Sequence, residues 1–154
     1  MSTTDSMPAP MSGTQASLYQ QLRGHLATLK LTDAAEHLPS VLAQAEAEQW
    51  SMTATLEHLL AREVEATEAR KLAGRLRFAS LPTPATLADF DYDAAPGIER
   101  KLIDGLATCR YLESATNVLL IGPPGVGKTH LAVGLARTAA EAGYRTYFTT
   151  AADL

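Results

Sequence analysis

The chain has a single cysteine, Cys109, in 154 residues, so no internal disulfide can staple it. Cys109 falls within a helical pattern and reads as a small apolar core residue rather than a reactive thiol. No apolar run approaches the ~20 residues that a bilayer-spanning helix needs. The N-terminus has neither the basic stretch nor the apolar stretch that opens a signal peptide. A cytoplasmic protein without a membrane partner is therefore expected. A dominant charge is missing too: 13 basic against 17 acidic residues leave a net charge of −4. That excludes a surface given over entirely to nucleic acid, but leaves room for a local basic patch. There are no internal repeats, and the length fits one domain or two small pieces.

Residues 1–16 carry one charge, Asp5, among Ser, Thr, Pro, Met, Gly and Ala. Such a stretch buries too little to offset its ordering entropy, which predicts a disordered leader. Leu18, Leu22, Leu26 and Leu29 then step at helical spacing, predicting a first helix to about Lys30. Thr32 is placed to cap a second helix with Ala35, Leu38, Val41 and Leu42 on one face and Pro39 as a kink or break. A third, longer helix follows Ser51 or Thr53, its stripe being Leu56, Leu59, Leu60, Val64, Leu72 and Leu76. Gly74 weakens it by about 1 kcal/mol relative to Ala without ending it. Trp50, at the second junction, reads as a packing anchor. These helices make an N-terminal helical domain over 17–80, followed by a Pro-containing linker over 81–96.

Beyond the linker a fourth helix is expected from Gly97 to Glu113, then a strand at Asn117 to Ile121. A helix to about Ala142 comes next, ended by Gly143, and Tyr144 to Thr150 is β-branched and aromatic enough for a second strand. Between the first strand and its helix, residues 122–129 read Gly-Pro-Pro-Gly-Val-Gly-Lys-Thr, a complete G-x-x-x-x-G-K-[ST] phosphate loop. At ordinary residue usage that pattern arises by chance about once in thirty thousand positions. Here it also has the strand before it and the helix after it. Gly122 lets the chain leave the strand sharply, and Gly125 and Gly127 keep side chains out of the way of a phosphate. Pro123 and Pro124 lack amides, so the cradle must come from Gly125, Val126, Gly127, Lys128 and Thr129, at the positive end of the following helix. Lys128 is expected to reach the β- and γ-phosphates, and the Thr129 hydroxyl to meet Mg²⁺. Several such contacts together fit roughly micromolar affinity, about −8 kcal/mol.

Around this loop the sequence resembles a known family. The segments Thr86-Leu87-Ala88-Asp89-Phe90-Asp91-Tyr92, Pro96-Gly97, Asn117 through Ala132, and Phe148 through Leu154 are similar to the IstB-like proteins. These are transposition helper ATPases of insertion sequences, related to the DnaC helicase loaders of the AAA+ superfamily. The helical run from Leu18 to Phe78 is similar to their N-terminal region. The endings Lys128-Thr129-His130-Leu131-Ala132 and Phe148-Thr149-Thr150-Ala151-Ala152-Asp153-Leu154 narrow the likeness beyond phosphate-loop proteins at large.

The resemblance implies an α/β fold: a helical N-terminal domain, then the start of a three-layer αβα AAA+ domain over 97–154, with only its first two strands present. It implies ATP and Mg²⁺ as cofactors, bound by Gly122, Pro123, Pro124, Gly125, Val126, Gly127, Lys128, Thr129 and His130. It also implies a transposase of the same insertion sequence and DNA as partners, with self-association. The family's acidic second motif, sensor residues and arginine finger lie beyond residue 154, so hydrolysis is expected to be negligible; loss of an arginine finger alone costs about 10³ to 10⁵ in rate. The two strands lack their usual neighbours, so they are expected either to expose apolar edges or to pair side by side.

Four basic residues, Arg70, Lys71, Arg75 and Arg77, gather at the end of the third helix. They either complement a helix C-terminus and nearby acids or contact DNA phosphates. His130 is expected to pack or hydrogen-bond rather than bind metal, and His25, His37 and His58 to lie at the surface. Phe90 and Tyr92 either lie near the adenine or pack in the core. Two alternatives to a nucleotide-binding transposition helper stand beside it: a non-enzymatic helical module binding transposase, DNA or further copies, and a helicase loader.

Overall fold

The computed structural model describes residues 13–153, which form six helices and no strand ladder. They divide between Ala69 and Arg70 into two compact units.

The first unit holds α1 (Gly13–Thr28), α2 (Thr32–Ala47) and the first part of α3 (Met52–Ala79). Of the expected leader, residues 1–12 lie outside the described residues, and residues 13–16 are already helical. The core of this unit is Leu26 from α1, Ala34, Leu38 and Val41 from α2, at steps of four and three, and Leu59 from α3. Trp50 packs against it, as its place at the junction predicted. Its ring stacks on His58 at 4.2 Å, and its Nε1 donates to Glu48 Oε2 at 2.8 Å. Pro39 neither ends nor interrupts α2; it lies on the exposed side, where solvent can serve the carbonyl it leaves without a donor.

Two expectations are corrected here. Thr32 does not cap α2, whose N-cap position is Leu31, without a side-chain capping bond. The buried carboxylate of Glu63 does that work from α3, accepting from Asp33 N at 2.8 Å and Ala34 N at 3.0 Å. An anion at a helix N-terminus satisfies donors that have no intrahelical partner. The apolar stripe of α3 also divides. Leu59 and Glu63 face the core, whereas Met52, Leu56, Leu60 and Val64, at four-residue steps on a neighbouring face, are exposed.

The second unit begins in the last turns of α3 and contains α4 (Arg100–Ala107), the single turn α5 (Arg110–Glu113) and α6 (Lys128–Glu141). The expected helix from Gly97 to Glu113 is broken at Cys109, which adopts a left-handed conformation (φ 60°) and is buried. Thr108 N and Cys109 N close a turn on Gly105 O and Leu106 O, and the chain restarts at Arg110. α6 ends as the glycine predicted: Gly143 has φ 101°, with Tyr144 N on Ala139 O and Gly143 N on Ala140 O. The core joins Phe90, Ala95, Ile103 and Leu131, with Leu87, Tyr92, Ile98, Leu106 and Leu120 against it.

Among the described residues neither Asn117–Ile121 nor Tyr144–Thr150 forms a strand, alone or with the other, so the two expected strands are not shown. A strand has no internal hydrogen bonds and exists only where a neighbour completes its ladder. Val118, Leu120 and Thr146, half-buried, and the exposed Tyr147 instead line one cleft with Leu135, Ala136 and Ala139 of α6. Phe148 N finds Ala79 O at 2.8 Å. The other side of the first segment stands open, with Leu119 80% and Ile121 89% exposed.

Candidate functional site

The loop from Gly122 to Gly127 is anchored at both ends by residues that pack. Before it, Leu120 enters the core; after it, Leu131 is buried at the end of the first turn of α6. Within it, Gly125 (φ 85°) and Gly127 (φ 84°) are left-handed, a conformation that a side chain would strain. Gly122 is different: its φ is not positive, and a Cβ there would meet only Val126 Cγ2 at 3.6 Å. The sharp exit assigned to Gly122 is thus made further on, by the second and third glycines.

Gly127 is the N-cap of α6, and its carbonyl accepts the first helical bond, from Leu131 N at 3.0 Å. The amides of Lys128, Thr129 and His130 therefore have no partner within the helix. No acidic residue occupies that first turn, so the positive end of the helix is not neutralised by its own side chains. Lys128 Nζ donates to Gly122 O at 2.9 Å and Pro123 O at 2.6 Å, folding the ammonium back across the loop. Thr129 is exposed beside it. Among the described residues no group of three or more His, Cys, Asp and Glu could hold a metal ion.

His130 does what a packing histidine does. Its Nε2 lies 2.8 Å from Thr86 O, and its ring meets Phe90 edge to face at 5.4 Å. A carbonyl only accepts, so Nε2 carries the proton. Phe90 is buried in the core and Tyr92 half-buried beside it at 4.9 Å, with the Arg100 guanidinium over the Tyr92 ring.

Of the basic cluster, Arg70, Lys71 and Arg77 are exposed on α3. Arg75 is half-buried and donates from Nε to Ala140 O at 2.7 Å, so it complements the C-terminus of α6 rather than that of its own helix. His25 and His58 are exposed, while His37 is half-buried with Nδ1 2.8 Å from Asp33 O.

Sequence reasoning missed the residues that hold α6: Ala85, Thr86 and Leu87 from the linker, and Gly134 and Arg137 on the helix. Arg137 Nε donates to Ala85 O at 3.2 Å, and Leu87 fills the space over Gly134. A glycine in the middle of a strong helix was the one signal available.

Comparison with known proteins bears on this geometry. Residues 24–154 match the family model described as IstB-like ATP binding protein. A protein of insertion sequence IS21 from Pseudomonas aeruginosa, named for ATP binding, is 40% identical over 123 residues, covering 80% of this chain and 46% of its own length. A similarly named IS21-like protein of Bacteroides fragilis is 36% identical over 126 residues, covering 82% of this chain and 48% of its own. Another, from Bacteroides fragilis strain YCH46, is 34% identical over 141 residues, covering 92% of this chain and 71% of its own. The chain thus spans about half the length of the first two relatives. Among the described residues no helix is long and apolar enough to cross a membrane.

Proposed function

The chain belongs to the IstB-like ATP-binding family, and from that premise we propose that it binds ATP with Mg²⁺ through residues 122–130. The observation that carries this is the pair of left-handed glycines, Gly125 and Gly127, delivering the chain into the uncompensated N-terminus of α6. The unpartnered amides of the first turn would take the polyphosphate. Lys128 would leave Gly122 O and Pro123 O for the β- and γ-phosphates, and Thr129 would hold Mg²⁺. The bound metal's contribution is neutralisation of charge on the phosphate oxygens.

Residues 117–121 and 144–150 are, on this reading, the first two strands of an α/β, three-layer αβα domain. The helical domain expected over 17–80 is, on this reading, the first compact unit, with α3 running on past Ala69 into the second and the expected linker over 81–96 belonging to that second unit. The insertion-sequence names of the relatives favour a transposition role: delivery of target DNA to a transposase of the same element, with Arg70, Lys71 and Arg77 as DNA-contact candidates. The 154 residues tested alone would turn ATP over slowly, because they contain no match to the family's acidic second motif or arginine finger, and the latter alone accounts for about 10³ to 10⁵ in rate.

The test is calorimetric titration of ATP and of ADP into the chain with Mg²⁺, beside Lys128→Ala, with release of phosphate followed in parallel. Binding without rapid turnover is expected. Absence of any nucleotide binding by folded protein would end the proposal, and fast Lys128-dependent hydrolysis would overturn its second half.

A further inference from the structure

One face of α6 is built to receive the linker. Gly127, His130, Gly134 and Arg137 follow one another at steps of three, four and three residues, and so share one side of the helix. Each meets the segment from Ala85 to Phe90. A Cβ on Gly127 would lie 2.5 Å from Phe90 Cε2 and 3.1 Å from Cζ, so the edge of the Phe90 ring occupies the space where a side chain would stand. His130 Nε2 holds Thr86 O, a Cβ on Gly134 would lie 2.7 Å from Leu87 Cδ2 and 3.1 Å from Leu87 N, and Arg137 holds Ala85 O. Two positions on this face are empty to admit apolar side chains, and two carry donors to satisfy carbonyls.

The segment is itself stiffened by short-range bonds. Thr86 Oγ1 donates to Asp89 Oδ2 at 2.6 Å, and Asp91 Oδ1 accepts from Asp93 N and Ala94 N. It therefore offers α6 a fixed wall rather than a loose strap.

We infer that the side chains of Phe90 and His130 are positioning groups for phosphate binding: they set the left-handed turn at Gly127, and with it the direction of the first-turn amides, without themselves touching the nucleotide. Gly127 has freedom over a wide range of φ, and glycine loses more entropy on ordering than any other residue. A ring packed against its Cα removes much of that freedom before a ligand arrives, which is preorganisation. Two residues beyond Lys128, the His130–Thr86 bond pins the turn that carries both Lys128 and Thr129.

The inference rests on the phosphate-site reading proposed above, and the experiment separates the two. Dissociation constants are measured with Mg²⁺ for ATP and for inorganic tripolyphosphate, on the unaltered chain and on Phe90→Leu, Phe90→Ala, His130→Ala and His130→Gln. Thermal stability is measured without ligand. Phe90→Ala and His130→Ala are expected to weaken ATP and tripolyphosphate by the same factor, about 3- to 30-fold for a residue acting through another. His130→Gln keeps a donor for Thr86 O and is expected to recover most of the loss, while Phe90→Leu falls between. Should Phe90→Ala not fold, Phe90→Leu and the His130 pair carry the comparison.

Weakened ATP with unchanged tripolyphosphate would overturn the inference, since it would place the ring against the base. Unchanged affinity for both ligands in folded His130→Ala and Phe90→Leu would also overturn it, as would a His130→Gln no better than His130→Ala. Failure of the unaltered chain to bind either ligand is a different result, and removes the phosphate-site reading itself.

Discussion

Lys128→Ala gives a prediction whose size follows from the loop as it stands. The ammonium has two acceptors, the carbonyls of Gly122 and Pro123, and both of those residues are exposed. Water replaces the ammonium on them when the side chain is removed, so folding stability should move by less than about 0.5 kcal/mol. Binding differs, because on the proposed reading the ammonium exchanges neutral carbonyl oxygens for charged phosphate oxygens. Two hydrogen bonds to phosphate at about 1.5–3 kcal/mol each, less the two relinquished contacts at about 0.5–1.5 kcal/mol each, set the size. A net loss of about 2 kcal/mol remains, roughly a thirty-fold weaker dissociation constant for ATP. Titration calorimetry with Mg²⁺ and a urea melt on the same samples read the two quantities separately. A variant that binds ATP within two-fold of the unaltered chain would refute the role assigned to Lys128. A variant that loses several kcal/mol of stability would refute the claim that its present contacts are solvent-replaceable.

Glu63→Ala removes the acceptor of two amides at the start of α2 from a buried position and should cost about 2–3 kcal/mol in urea unfolding, with a loss under 0.5 counting against the cap. Gly74→Ala and Gly134→Ala should have opposite signs. Nothing lies within 4 Å of a Cβ at Gly74, so helix propensity alone acts and stability rises by up to about 1 kcal/mol; at Gly134 the backbone N of Leu87 stands 3.1 Å away, and overpacking of about 1–3 kcal/mol outweighs that gain. Equal signs in thermal melts would show that the linker does not lie against α6. Trp50 donates to Glu48, and hydrogen bonds from Gln44 and Trp50 hold the Glu48 carboxyl below its ordinary 4.5. A depressed folded-state value means the interaction is fully present above 4.5 and is lost as pH falls through the lower value. Emission from Trp50, the only tryptophan, should therefore show an acid step below 4.5 that Glu48→Gln abolishes.

Much of the helical structure was legible because its signals are local. Leu26, Leu38 and Val41 announce their faces by spacing, and Gly143 announces a helix end by conformation. The glycine turn into α6 was legible for the same reason, Gly125 and Gly127 lying within eight contiguous residues. What escaped is non-local. Glu63 caps a helix 30 residues earlier, and nothing near Thr32 marks that. Leu59 and Leu60 are adjacent on one helix and equally apolar, so periodicity alone could not say which of two neighbouring stripes would be buried. The strand-like segments carry the composition of strands, but composition describes a preference and a ladder needs a neighbour.

The absence of that ladder, among the described residues, sharpens the question of what fixes the loop. Ordering a residue costs about 1–2 kcal/mol in backbone entropy, and six residues separate Gly122 from Gly127 inclusive. If Lys128 binds phosphate as proposed, it surrenders its bonds to the loop, and these cannot hold the bound form. The preceding segment contributes Leu120 to the core while Leu119 and Ile121 face outward, which fixes one end of the loop through a single side chain. The remaining constraint comes through α6, whose buried Leu131, Val133 and Leu135 fix the helix and whose Gly127, His130, Gly134 and Arg137 fix it to the linker. A ligand site held mainly from its helical side should be more sensitive to a change in residues 85–90 than to a larger change in volume at Val118. Parallel Phe90→Leu and Val118→Ala variants compared for tripolyphosphate affinity would decide this, with a larger loss from Val118→Ala defeating it.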